Sequence, residues 1–131
     1  MSFETKSLPV RHDVLAPDGS EVRILLGMPR GGMAHFRLLP GQVAIAVTHR
    51  TVEEIWYVVE GEGEMWRQDA TREEVVLLTP GTCLTIPLGT RFQFRCIGGT
   101  PFAAVGVTMP PWPGGEEAVP VEGKWTPSLG G

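Results

Sequence analysis

The stretch Gly41-Gln-Val-Ala-Ile-Ala-Val-Thr-His-Arg-Thr-Val-Glu-Glu-Ile-Trp-Tyr-Val-Val-Glu-Gly61 decides how this chain reads. Between its two glycines it contains neither Gly nor Pro, so a helix would be tolerated. Its residues argue the other way. Val, Ile, Thr, Trp and Tyr dominate, and these fit a pleated, half-buried surface better than a helix. We read two strands here, Gln42 to Thr48 and Glu54 to Val59. Side chains alternate faces along a strand, so Glu54, Trp56 and Val58 share one face and Glu53 looks the other way. Gly61-Glu62-Gly63 closes a tight hairpin, and Glu64 to Gln68 returns.

Outward from this stretch the same grammar repeats. The 131 residues include 17 Gly and 12 Pro, spread along the chain. A helix interior disfavours both, Pro by about 3 kcal/mol relative to Ala. Short β-rich runs lie between these breaks: Val22 to Leu26, Met33 to Leu39, Glu74 to Leu78, Cys83 to Ile86, Arg91 to Cys96 and Phe102 to Thr108. Pro17-Asp18-Gly19-Ser20, Pro40-Gly41, Pro80-Gly81 and Pro87-Leu88-Gly89 are turns by their chemistry. Short strands with frequent turns describe an all-β sandwich or small barrel. The segment from Met109 is different: five prolines by Pro127, no alternation, and two indoles, Trp112 and Trp125. Large indoles are seldom left in water, so this tail is expected to dock, on the barrel itself or on a partner subunit.

Composition narrows the function classes. An apolar share of 42% suits a folded globule, and the length suits one domain. The net charge of -4 and the lack of a basic run count against a nucleic-acid partner. No apolar stretch is long enough to span a bilayer, so no membrane role is expected, and the cytoplasm is the expected location. Cys83 and Cys96 are then expected to be reduced, ordinary buried thiols.

Two spacing patterns resemble the cupin superfamily. In the first, Gly41 is followed after five residues by Val47. His49 lies two further on, four residues intervene before Glu54, and six before Gly61. The second runs through Gly81, Pro87, Gly89, Phe92 and Cys96. The resemblance implies an antiparallel jelly-roll barrel in a single domain, 1–131, with a barrel core of about 20–109 and a C-terminal tail of 110–131. It also implies a central pocket and a homodimer, which would cover strand edges.

Many cupins hold a divalent metal through three histidines and a glutamate, a donor set suited to Zn, Mn, Fe or Ni. Carried over position by position, this chain keeps His49 and Glu54. Val47 and Phe92 stand at the other two positions and have no donor atom. His49 and Glu54 therefore have three readings: a hydrogen-bonded acid-base pair without metal, a rearranged metal site, or a solvated rim. His35 is the candidate extra ligand if its strand face is inside. A carboxylate beside His49 would raise the imidazole pKa. Alternation then gives a ligand pocket of Val47, Trp56, Phe92 and Phe94, with His35 as a further candidate. Alternatively, these side chains fill a solid barrel core.

Three functions are compatible with this. One is a module binding a small organic molecule in an aromatic pocket. Another is an isomerase, lyase or dioxygenase, using either a rearranged metal site or His49 and Glu54 as catalytic acid and base. The third is a structural dimerisation unit.

Overall fold

A computed structural model describes residues 3–129. Among them it contains eleven strands and no helix. They are β1 (Val14–Leu15), β2 (Glu21–Met28), β3 (Gly31–Leu38), β4 (Val47–His49), β5 (Glu53–Glu60), β6 (Gly63–Gln68), β7 (Glu73–Leu78), β8 (Cys83–Ile86), β9 (Arg91–Cys96), β10 (Phe102–Met109) and β11 (Ala118–Pro120). They form two antiparallel sheets, ordered β1-β2-β3-β10-β5-β8 and β11-β4-β9-β6-β7. The two sheets face each other as a jelly-roll barrel. No helix of the described residues is long and apolar enough to cross a membrane.

The turn chemistry explains the spacing of the motifs. Gly41, Gly61, Gly81 and Gly89 all sit at positive φ, between 74° and 96°. At Gly61 a side chain is also excluded by space, because a Cβ would run into the carbonyl of Pro101. Glycine is the residue that adopts this conformation at no steric cost.

Between the sheets lies one apolar cluster. It includes Leu38, Trp56, Val58, Met65, Leu78, Ile86, Phe94 and Phe102. Alternation along β5 is clean: Glu54, Trp56 and Val58 are buried, whereas Glu53, Ile55, Tyr57 and Val59 are exposed. Trp56 stacks on Phe36 with ring centres 5.1 Å apart and meets Phe94 edge-on at 4.9 Å. Gly106 makes the stack sterically feasible. A Cβ there would lie 2.7 Å from both the Phe36 ring and Glu54 Oε2.

The structure departs from the expected bounds of one strand and from the expected burial of Cys83. The strand placed at Gln42 to Thr48 is only Val47–His49. Upstream, the Ala44 amide donates to Phe94 and the Ile45 amide to Asp18. The segment bonds to two different elements and cannot ladder along one. Strand pairing also occurs on both sides of the expected core of about 20–109, where β1 pairs with β2 and β11 with β4. The tail is held on the barrel itself. The Gln93 side chain bonds the backbone of Lys124 and Trp125, and the Arg95 guanidinium lies 4.2 Å from the Trp125 ring centre. Finally, Cys96 is buried but Cys83 is exposed, on β8 opposite the outward-facing Tyr57.

Candidate functional site

The barrel is not solid. A cavity of about 720 Å³ opens into it, lined by residues of both sheets and of the segment after β10. Its wall is mostly apolar: Phe36, Val47, Trp56 and Phe92 inside, with Val14, Leu15, Met33 and Trp112 among the other lining residues. Asp18, His49, Glu54 and Thr108 supply the polar side chains other than the two indoles. This volume lies within the range of about 300–1,000 Å³ usual for small-molecule sites.

Glu54 is positioned by β5, with Thr108 and Ile86 opposite it on the neighbouring strands. Its Oε2 accepts one hydrogen bond, 2.7 Å from Trp56 Nε1. Burial dominates its titration. Removing the carboxylate from water pushes its pKa up to about 7, the Trp56 bond opposes this, and the nearby Asp18 charge adds to it. Asp18 stands on the turn before β2. Its Oδ1 accepts from the amide and hydroxyl of Ser20 at 2.9 and 2.7 Å. Burial raises its pKa despite these bonds.

His49 ends β4, opposite Ala118 of β11. Its ring meets Phe92 and Trp112 edge-on, each at 5.1 Å. His49 Nδ1 stands 3.8 Å from Glu54 Oε1 and has no hydrogen-bond partner. That distance is too long for a hydrogen bond. The expected hydrogen-bonded pair is therefore absent, although the two side chains do meet. The expected pKa direction is also reversed. Desolvation pushes the imidazole pKa down, and the attraction of Glu117 only partly offsets it. These shifts favour the neutral imidazole and bring the Glu54 carboxyl group into its titration range near neutral pH.

Of the residues expected in the pocket, Val47, Trp56 and Phe92 line it with His49 and Glu54. Phe94 does not. It is buried in the core behind Trp56. His35 does not either. On β3 its neighbours Ala34 and Phe36 line the cavity, so alternation turns His35 to the outer face. There it lies opposite Arg23, whose guanidinium binds the carbonyls of Pro9 and Val10. Burial there lowers its pKa, and the neighbouring arginine reinforces the effect.

The cation site that the cupin resemblance implies is not supported by these side chains. With His35 outside, only His49 and Glu54 of the proposed donors remain. Val47 and Phe92 fill the other two positions without a donor atom, and they lie opposite each other in the β4-β9 pair. Among the described residues no group of three His, Cys, Asp or Glu side chains is arranged to hold a metal ion.

Sequence reasoning missed Asp18, Phe36, Thr108 and Trp112. Asp18 was hidden because a Pro-Asp-Gly-Ser turn reads as solvated. Trp112 carried a signal, an indole among prolines, without an address.

The model of the cupin domain matches residues 34–108, more than half of the chain. No curated protein matches. Among solved structures, an uncharacterized conserved protein with a double-stranded beta-helix domain from Klebsiella pneumoniae subsp. pneumoniae is similar at TM-score 0.65 and 22% identity, covering 80% of this chain and 86% of that one. KdgF from Halomonas sp. is similar at TM-score 0.60 and 20% identity, over 70% of this chain and 81% of that one. An oxalate decarboxylase variant from Bacillus subtilis reaches TM-score 0.69 at 15% identity, over 82% of this chain but 29% of that one. At these identities the structural likenesses speak for the fold alone. The motif glycines, the two facing sheets and the matched family model agree: this chain belongs to the cupin family.

Proposed function

We propose that this cupin binds a small organic molecule in its barrel. The observation that supports this is the cavity of about 720 Å³, apolar over most of its wall, with Asp18, His49 and Glu54 as its ionisable side chains. An apolar wall with a few placed polar groups is the usual build of a small-molecule site. Trp56 and Trp112 line the cavity and serve as built-in reporters. A library of small aromatic and polar compounds, screened by thermal shift and indole fluorescence, tests the reading. The expected result is a family of related compounds that stabilise the protein and perturb the indole emission. His49→Ala is expected to weaken that binding more than it lowers stability. A library without a single saturable binder overturns the reading.

A second reading is supported by one specific feature. A buried carboxyl group with pKa about 7, beside a neutral imidazole 3.8 Å away, has the titration of a general acid or base working near neutrality. The site would then catalyse a proton-transfer step, as in an isomerase or lyase. Turnover of a bound compound, with a pH-rate limb near 7 that disappears in Glu54→Gln, is the expected result. Unchanged turnover in that variant overturns it.

The expected homodimer also stands as a proposal. The outer face of the six-stranded sheet exposes Ile55, Tyr57 and Val59 of β5, an apolar patch that a two-fold pair would bury. Light scattering at micromolar concentration is expected to give twice the chain mass, and a monomer overturns it.

A further inference from the structure

The ionisable groups of the cavity are one-sided. Asp18 and Glu54 both line it and are both carboxyl groups, and the Asp18 charge is felt at Glu54. Among the described residues the wall contains no lysine and no arginine. A carboxylate or phosphate ligand would find no counter-charge here, and would be repelled wherever Asp18 or Glu54 is ionised. An uncharged ligand would leave two buried acids without a counter-charge. A cation would satisfy both.

The free atoms point the same way. His49 is buried, lines the cavity, and its Nδ1 has no hydrogen-bond partner. Glu54 uses Oε2 for the Trp56 indole and turns Oε1 toward that same nitrogen. Asp18 uses Oδ1 for Ser20. His49 and Glu54 offer acceptor atoms side by side, and Asp18 lines the same cavity. A primary ammonium has three N–H donors to place on them. It also tolerates donor-to-acceptor distances near 3 Å, whereas a metal ion needs several donors converging within about 2.0–2.6 Å. The aromatic rings of Phe36, Trp56, Phe92 and Trp112 line the rest of the space. Ring faces attract organic cations, and the same surfaces accept an apolar body.

We propose that the ligand is a small organic cation, a protonated amine on an apolar or aromatic body, held by Asp18, Glu54 and His49. This rests on the binding reading above and names the class of molecule the pocket selects.

The test uses three probes of nearly one shape on the untagged full chain: benzylamine, benzyl alcohol and benzoate, followed by indole fluorescence and thermal shift. Benzylamine is expected to bind about tenfold or more tightly than the other two. Asp18→Asn and Glu54→Gln keep the Ser20 and Trp56 hydrogen bonds, and each is expected to weaken benzylamine about tenfold. With two variants, the failure of one to fold leaves the other to decide. Benzyl alcohol or benzoate binding as well as the amine overturns the cation inference and leaves the binding reading standing. Benzylamine binding that neither variant alters overturns it too, since the charge then lies elsewhere. No binding by any of the three overturns the inference, whereas the binding reading falls only if the wider library also fails.

Discussion

Two buried glutamates in this molecule have opposite fates. Glu117, on the segment that leads into β11, accepts bonds from the Thr51 amide, the Thr51 hydroxyl and the Val52 amide at 2.7, 2.6 and 3.0 Å. Burial alone would raise its pKa, but these three donors outweigh it and hold the pKa below the ordinary range. Glu54 accepts one bond, and burial prevails. The number of donors aimed at a buried carboxylate decides whether it keeps its charge. Glu117 thus acts as a structural latch, fixing the C-terminal segment to the β4-β5 loop. Glu54, with a single hydrogen bond, faces the cavity.

Removing the latch is the sharpest way to break this comparison. Glu117→Ala leaves two amides and a hydroxyl without their partner, and a loss of about 3–4 kcal/mol in urea unfolding is expected. Because the folded pKa is depressed, the charge-dependent part of this contribution is present above the unfolded pKa near 4.5 and fades as pH falls through the folded value. Glu117→Gln should therefore flatten the acid side of the stability curve. A wild-type acid limb in that variant would count against the latch.

Glu54 carries the opposite sign. The folded chain keeps its proton up to about pH 7, whereas the unfolded chain releases it near 4.5. Raising the pH through that window costs the ligand-free protein stability, by up to about 3 kcal/mol. Glu54→Gln keeps an acceptor for Trp56 and cannot ionise. It is expected to be more stable than the wild type above pH 7 and to match it near pH 4. Equal stability at pH 8 would show that the carboxylate is compensated there.

Gly106→Ala is expected to cost about 1–3 kcal/mol, because the new methyl group displaces Glu54 Oε2 or the Phe36 ring. Indole emission should report the disturbed Phe36–Trp56 stack. Trp112→Ala should have the smallest effect on stability, about 1 kcal/mol, since the indole is 38% exposed and lies at the cavity wall. Its larger effect is expected on the affinity of whatever probe binds.

Much of this was legible before the structure. The strands Cys83–Ile86 and Arg91–Cys96 have the bounds expected from their turns. The alternation that placed Glu54 and Trp56 on one face holds, and Val47, His49 and Phe92 do reach the cavity. His35 was misplaced because a strand's period of two separates its faces without saying which is inside. On the outer face the carbonyls of Pro9 and Val10 accept from the Arg23 guanidinium, and the histidine opposite that arginine is buried without being in the pocket. Phe94 was inward as expected, but it packs edge-on against Trp56 in the core and is not among the residues lining the cavity.

The sequence by itself determined the architecture. Gly and Pro mark the turns, four motif glycines demand positive φ, and period-two burial assigns the faces. These are local constraints, each readable within a few residues. Only the tertiary structure decided the site. Asp18, from the turn before β2, and Glu54, from β5, line one cavity, and Trp112 meets His49 edge-on ahead of a segment that the buried Glu117 anchors. Whether the barrel is hollow or filled depends on the sum of many side-chain volumes, which no single stretch of sequence contains.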